Sequence, residues 1–173
     1  LKAVRERTTL RAAADEKVVR LDGDDLWNVP YIYMTGHGNV RFSDQDLETL
    51  RRYLRQGGFL HVDDNYGMDE SIRRELARLF PDRPLVEVPL DHPVYRIVYA
   101  FPRGIPKIHE HDAKPAQGLG LIYQGRLVVY YSFESDLGNG WEDQRVHNDP
   151  EEKRLQALRM GANIIAYCFT DSM

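Results

Sequence analysis

The sequence predicts an α/β fold with a mainly parallel, doubly wound sheet and an antiparallel hairpin at one edge. Two short segments rich in β-branched and aromatic residues, 31–35 and 59–63, have the composition of strands and flank a segment with helical spacing. A strand, a helix and a second strand at this spacing form a βαβ unit, in which the strands run parallel. Farther along, Gln124 and Gly125 separate two apolar segments, as in a two-residue hairpin turn.

The helix between the two predicted strands has recognisable ends. Ser43 suits an N-cap, and Asp46 three residues later completes an approximate capping box. Gly57 and Gly58 are expected to end the helix. Its apolar residues recur at helical spacing: Leu47, Leu50 and Leu54.

The remaining segments fit the same α/β pattern. The apolar stretch 17–21 suits a further strand, and 69–80 suits a helix that Pro81 stops. The hairpin strands are expected at 119–123 and 126–133. The last helix is expected to begin near Pro150 and to pack through a set of apolar residues: Leu155, Leu158, Ala162, Ile165 and Phe169.

Composition limits the classes of function. The 173 residues, 42% hydrophobic, suit a single domain over residues 1–173. The pattern around Leu1 suggests the tail of a helix whose N-terminal part is missing. The net charge of −4 and the scattered basic residues argue against nucleic-acid binding. No apolar stretch approaches the roughly 20 residues of a membrane span. The single cysteine, Cys168, lies in an apolar segment and suits a buried position.

Polar loops follow both predicted parallel strands. One loop contains His37, and the other begins with Asp63 and Asp64 and continues through Asn65 and Tyr66. In an open parallel sheet, ligands bind beyond the carboxyl ends of the strands, so these loops should converge on one crevice. We assign catalytic roles to His37, Asp63 and Asp64 and ligand contacts to Asn65 and Tyr66. The alternative is that these residues only cap helices and satisfy turns.

Two other segments supply candidate site residues. His109 and His111, two residues apart, suit two imidazole ligands of a divalent metal such as zinc, with Asp64 as a third ligand. The alternative is a polar loop with ordinary hydrogen bonds. The acidic, glycine-containing segment 134–143 is long enough to be functional. Its candidate ligand-binding residues are Glu134, Asp136, Trp141 and Glu142.

Several motifs in this chain resemble one bacterial family. They are the segments 33–38, 57–67, 80–84, 91–93, 106–111 and 134–142. In this order they are similar to the bacterial domain-of-unknown-function family numbered 4159, and the resemblance is weaker to ThuA-like proteins. The resemblance implies a flavodoxin-like fold of the class I glutamine amidotransferase type, with an N-terminal strand and helix upstream of Leu1 that are missing here. In that fold the cysteine nucleophile follows the strand that here ends in Asp63 and Asp64, so glutaminase activity is not expected.

Two functions remain open on the sequence. The first is a polar crevice that binds a small molecule or a metal ion. With a metal ion bound, it would hydrolyse a substrate with metal-activated water. The second is a module of the bacterial cell envelope that binds a ligand such as a saccharide, or serves as a scaffold, without catalysis. The sequence contains no Gly-x-Ser-x-Gly elbow, P-loop or dinucleotide-binding glycine motif. Neither the cytoplasm nor the periplasm is favoured.

Overall fold

The computed structural model describes residues 1–64 and 66–170. Within these residues, five strands form one open sheet in the order β1-β2-β5-β4-β3. The strands are β1 (Tyr31–Gly36), β2 (Phe59–Asp64), β3 (Val86–Glu87), β4 (Gln117–Tyr123) and β5 (Arg126–Phe133). The helices are α1 (Lys2–Arg7), α2 (Asp44–Arg55), α3 (Asp69–Leu79), α4 (Leu137–Trp141), α5 (Gln144–His147) and α6 (Glu151–Thr170).

The predicted parallel pair is confirmed. Strands β1 and β2 are neighbours, with Thr35 opposite Asp63. Helix α2 joins them and starts with the predicted capping box, in which the Ser43 side chain accepts from the Asp46 amide and the Asp46 carboxylate accepts from the Ser43 amide. Gly57, with φ of +107°, follows the end of α2, where only glycine adopts the backbone angle without strain.

Helices cover both faces of the sheet. Because side chains alternate along a strand, Leu60 and Val62 of β2 point to one face and join a core with α2 and α3. Phe59 of β2 points to the opposite face and joins a core with α6. Buried apolar side chains from both layers therefore enclose β2, which is fully buried along its length.

The hairpin has a different place from the one expected. Strand β5 pairs in parallel with β2 at the centre of the sheet, and β4 pairs with β5 in antiparallel fashion. The short strand β3 then covers the outer side of β4 and forms the edge. Four of the five strands therefore run in one direction, and only β4 runs against them. The hairpin therefore lies inside the sheet, between the parallel strands and the edge strand β3, instead of forming the edge itself.

Three local predictions need correction. Residues 17–21 form no strand; Val19 and Leu21 instead pack, from an irregular segment, against the core that α2 and α3 form with the sheet. Segment 134–143 is not one irregular loop, because it contains α4, and α5 begins directly after it. Phe169 is 44% exposed and therefore contributes little to the packing face of α6.

The last helix supplies much of the second core. Ala157, Met160 and Ile164 of α6 are fully buried against the sheet. Cys168 near its end is 1% exposed, as its apolar neighbours predicted. In the stretches 1–64 and 66–170, no helix is both long and apolar enough to cross a membrane.

Candidate functional site

A buried carboxylate lies at the carboxyl end of β2. The Asp63 side chain is completely buried and accepts hydrogen bonds from four groups. The donors are the Tyr33 hydroxyl at 3.0 Å, the Ser132 hydroxyl, the Leu137 amide at 3.3 Å and the Gly138 amide at 2.7 Å. Two of these donors are the first backbone amides of α4. Asp63 therefore ties the end of the parallel sheet to the start of that helix.

Strand pairing brings these side chains together. Asp63 lies directly opposite Ser132 of β5 and two residues from His61, which faces the same side of β2. Tyr33 of β1 lies beside His61, with ring centroids 5.3 Å apart. The three neighbouring parallel strands β1, β2 and β5 thus place two hydroxyls, one imidazole and one carboxylate on the face that α4 and α6 cover.

A directed chain of hydrogen bonds leads to Asp63. The Tyr31 hydroxyl lies 2.9 Å from Nδ1 of His61, and Nε2 of His61 lies 2.9 Å from the Ser132 hydroxyl. The Ser132 hydroxyl has one proton and lies closer to the Asp63 carboxylate than to the Val62 carbonyl, so it donates to Asp63. Nε2 of His61 then carries the ring proton and donates to Ser132. Nδ1 then accepts from Tyr31. Each member of the chain donates toward the carboxylate.

Burial sets the ionisation of these groups. It lowers the pKa of His61 to about 3, so the imidazole is neutral and has the single proton that this chain of bonds requires. Burial also raises the pKa of Asp63 to about 6, although hydrogen bonds from Ser132, Gly138 and Tyr33 act in the opposite direction. The nearby Asp136 carboxylate adds to the increase.

Asp64, the neighbour of Asp63, faces the other side of the sheet. Its Oδ1 accepts from the amides of Tyr66 and Met68, at 3.0 and 3.3 Å. Its Oδ2 accepts from the Tyr131 hydroxyl at 3.2 Å. Asp64 thus holds the turn between β2 and α3, and it does not share the polar network of Asp63.

Asp136 is the second buried carboxylate of the site. It is 1% exposed and has a left-handed backbone with φ of +58°, which is uncommon outside glycine. Its Oδ2 accepts from Nδ2 of Asn139 at 2.8 Å and lies 3.2 Å from Nε2 of His111. Its Oδ1 is buried and has no hydrogen-bond partner among the described residues. Burial raises the pKa of Asp136 despite the contact with His111.

The two loops that follow β1 and β2 meet, as strand polarity predicted. A Cβ at Gly67 would lie 3.9 Å from the Gly38 amide nitrogen, so the two loops are in contact. Between β2 and α3, Tyr66 has φ of +104°, a strained angle for a residue with a side chain. The residue is 51% exposed, and its ring stacks on His111, with centroids 4.9 Å apart.

Trp141 closes one side of the site. Its indole nitrogen donates to the Ala157 carbonyl of α6 at 2.9 Å, and its ring lies 5.1 Å from that of Tyr33 and 5.9 Å from that of His61. Glu142, the next residue, is more peripheral, because its carboxylate lies 2.9 Å from Nε2 of the partly exposed His147. Trp141 therefore packs over the polar network, whereas Glu142 lies at the outer end of α4.

Glu134 forms an ion pair beside the site. It is 5% exposed, and Nζ of Lys107 lies 2.9 Å from its Oε2. Its backbone is left-handed, with φ of +55°. The buried carboxylate is therefore compensated by a cation and is less available to a ligand than that of Asp136.

The other predicted residues have distinct positions. His37 is exposed on the loop after β1. His109 is close to His111, with ring centroids 4.9 Å apart, and its Nδ1 lies 4.0 Å from Asp149. Across the described parts of the chain, no three His, Cys, Asp or Glu side chains are grouped so that they could hold a metal ion. Asn65 lies outside the described residues.

The sequence-based prediction missed the hydroxyl groups of the site. Ser132, Tyr31 and Tyr33 all contact His61 or Asp63, but none was singled out. Ser132 could have been found, because it is a small polar residue in the otherwise apolar second half of β5. The tyrosines gave no such signal, since tyrosine is common in strands for its packing alone.

Comparison with protein-family models agrees with the family resemblance of the sequence motifs. A family model described as a domain of unknown function (DUF4159) matches residues 1–169. Comparison with curated proteins returned no match.

Proposed function

Because the chain belongs to the DUF4159 family of domains of unknown function, its function has to be argued from the site, and we propose that it binds a small polyhydroxylated molecule. The ligand lies against Asp136, His111 and Tyr66 and donates a hydrogen bond to Oδ1 of Asp136. A saccharide is the class of molecule that fits best. The proposal depends mainly on one observation, the buried carboxylate oxygen of Asp136 that lacks a donor.

A buried acceptor without a partner is costly. Leaving such a group unpaired costs roughly 1–3 kcal/mol, and more when the group is charged. The left-handed backbone of Asp136 adds strain at the same residue. A ligand hydroxyl would supply the missing donor and recover part of this free energy, which is why Asp136 is the centre of the proposed site.

The aromatic rings support a sugar-like ligand. Tyr66 is 51% exposed, and its ring stacks on the imidazole of His111, which in turn contacts the Asp136 carboxylate. The C–H face of a pyranose packs on such a ring while its hydroxyls bond to nearby carboxylates. Tyr33, 36% exposed, adds a second ring near Gly138.

Asp63 has a positioning role in this proposal. The buried carboxylate accepts hydrogen bonds from the first two amides of α4. These bonds fix the start of the helix and therefore the backbone of Asp136, the residue just before it. A site that is already ordered before the ligand arrives loses less conformational entropy on binding. The buried chain from Tyr31 to Asp63 therefore supports the ligand-contacting residues from behind.

Saturation-transfer NMR with a panel of monosaccharides and disaccharides tests the proposal. The wild-type protein is expected to bind at least one saccharide, and Asp136→Asn is expected to weaken its affinity at least ten-fold. Asp44→Asn, which changes a 98% exposed side chain on α2, is the matched control and should bind like the wild type. Binding that Asp136→Asn does not weaken, or no binding by any saccharide, would refute the proposal.

Metal-assisted hydrolysis is the second candidate, supported by the adjacent imidazoles of His109 and His111 and by the carboxylate of Asp136. These three side chains would have to move closer together to bind one ion, because within the described residues they form no group that could hold a metal. Asp64 cannot complete the set without a larger change, since it faces the other side of the sheet. Elemental analysis after incubation with zinc tests this candidate. Near-unit zinc that EDTA removes, lost in His111→Ala and kept in His147→Ala, would favour it over the saccharide site.

We also propose that the fold is of the flavodoxin-like, class I glutamine amidotransferase type. Support comes from the parallel strands β1, β2 and β5 and from the helices on both faces of the sheet. In that fold the nucleophile follows the strand equivalent to β2, which here ends in Asp63 and Asp64. Cys168 lies instead on α6, where burial raises the pKa of its thiol to about 12. Superposition on an experimental structure of this chain tests the assignment.

A further inference from the structure

A cavity of about 500 Å³ lies between the segment 99–107 and α6, outside the site around Asp136. Its volume falls within the range of small-molecule sites, roughly 300–1,000 Å³. Its polar lining comes from Arg103, Lys107, Gln156 and Arg159. Of the described residues that line it, none is acidic. The cavity therefore has a positive lining.

Arg159 has unused hydrogen-bonding capacity. Its Nε is buried and has no hydrogen-bond partner among the described residues. Its guanidinium carbon lies 5.2 Å from the ring centre of Tyr99. A cation held over an aromatic face keeps its N–H groups directed outward in the guanidinium plane, where they can meet a carboxylate or a phosphate.

The other cations differ in their availability. Nζ of Lys107 is bonded to Glu134, so its charge is already neutralised. Arg103 is exposed at the rim of the cavity. The guanidinium groups of Arg103 and Arg159 therefore remain to attract an anion. Phe101 and Pro102 lie on the same wall and present apolar surface.

The cavity wall is held in place by a buried amide. Asn163 of α6 is completely buried, and its Oδ1 accepts from the amides of Val98 and Tyr99, at 3.2 and 2.8 Å. Its Nδ2 donates to the carbonyls of Val94 and Tyr99, at 2.9 and 2.8 Å. These four bonds fix the backbone that carries the Tyr99 ring. The cavity is thus formed before any ligand binds.

We propose that this cavity is a second ligand site, which binds a small organic anion. The carboxylate or phosphoryl group of the ligand pairs with Arg159 and Arg103, and its apolar body packs on Phe101 and Pro102. A guanidinium matches both oxyanions through two parallel hydrogen bonds. The two sites have opposite chemistry, because the site around Asp136 offers acceptors whereas this cavity offers donors and positive charge.

Calorimetric titration with four probes tests the proposal. Phenyl phosphate and benzoate contain both parts of the proposed ligand and represent its two possible oxyanions, and the tighter of them identifies which anion the site prefers. Inorganic phosphate lacks the apolar body, and benzyl alcohol lacks the charge. We expect at least one of the aromatic anions to bind at least ten-fold more tightly than either control. Equal binding of inorganic phosphate or benzyl alcohol, or no binding at all, would overturn the proposal.

Amino-acid substitutions test whether the anion binds in this cavity. Arg159→Gln is expected to weaken the preferred anion at least ten-fold, and Arg159→Lys is expected to weaken it less because the charge remains. Arg83→Gln removes an exposed arginine elsewhere and should have no effect. If Arg159→Gln does not fold, Arg103→Gln at the exposed rim replaces it, with a loss of at least three-fold expected. Unchanged affinity in the folded variant of either arginine, or an equal loss in Asp136→Asn, would refute the assignment.

Discussion

Ser132 of β5 lies directly opposite Asp63 of β2, and the Ser132 hydroxyl donates a hydrogen bond to the Asp63 carboxylate. The same hydroxyl oxygen is the partner of Nε2 of His61. Ser132 therefore connects a neutral imidazole to a buried carboxylate. Two polar groups that could not be buried alone are satisfied together through one small side chain.

Replacing Ser132 by alanine should destabilise the protein by roughly 1–3 kcal/mol, because both His61 and Asp63 lose a buried partner. Ser135→Ala is the matched control, since the Ser135 hydroxyl donates only to the carbonyl of Pro106. Urea unfolding measures both free energies. A smaller loss for Ser132→Ala than for Ser135→Ala would contradict the role of Ser132 as the connection.

Asp63 should make stability depend on pH in an unusual direction. Its pKa is about 6 in the fold, against 3.8 for an ordinary aspartate. Between these values the folded state binds more protons than the unfolded state, so the free energy of unfolding falls as pH rises. Complete ionisation of Asp63 should lower the free energy of unfolding by about 3 kcal/mol.

Asp63→Asn should remove this contribution, so its stability should fall less than that of the wild type between pH 4 and 6. Urea unfolding at four pH values across that interval measures the difference. Asp44→Asn, at an exposed position, should keep the wild-type slope. Parallel curves for the wild type and Asp63→Asn would show that Asp63 does not carry a raised pKa.

Cys168 should be unreactive in the folded protein. Burial raises the pKa of its thiol to about 12, so thiolate is scarce at pH 8, and the side chain is 1% exposed. Labelling with a thiol reagent should be slow in buffer and complete within minutes in concentrated urea. Rapid labelling of the native protein would contradict the packing of α6 against the sheet.

Gly118 of β4 should tolerate no side chain. A Cβ at this position would collide with the hydroxyl oxygens of Tyr95 and Tyr130. Gly118→Ala is therefore expected to cost about 1–3 kcal/mol in the free energy of unfolding. Gly36→Ala at the end of β1 is the control, because a Cβ there meets no atom within 4 Å and should change stability little. Thermal unfolding compares the two variants.

Local signals predicted the parallel half of the fold. The Ser43 and Asp46 capping box, the glycines after α2 and the two apolar strands β1 and β2 all depend on neighbours in sequence, and these predictions are confirmed. The place of the hairpin was not predicted, because the pairing of β5 with β2 joins segments about 70 residues apart. The periodicity of a strand shows which side chains are buried, but it does not show which distant strand pairs with it.

The site was predicted only in outline. Strand polarity located the meeting of the loops after β1 and β2, since it follows from the parallel pairing alone. Alternation along the strand also predicts that Asp63 and Asp64 face opposite sides of the sheet. The prediction nevertheless placed both in one site, because the identity of each covering layer depends on tertiary packing. The hydroxyl network of Tyr31, Tyr33 and Ser132 likewise depends on contacts between strands.

The central position of β5 has a consequence for synthesis of the chain. Until residues 126–133 leave the ribosome, β2 has β1 on one side and an unpaired edge on the other. That open edge carries Phe59, Leu60 and Val62, which are almost fully buried in the finished protein. Nascent chains are thus expected to need a chaperone, or slow translation through this interval, to avoid edge-to-edge aggregation.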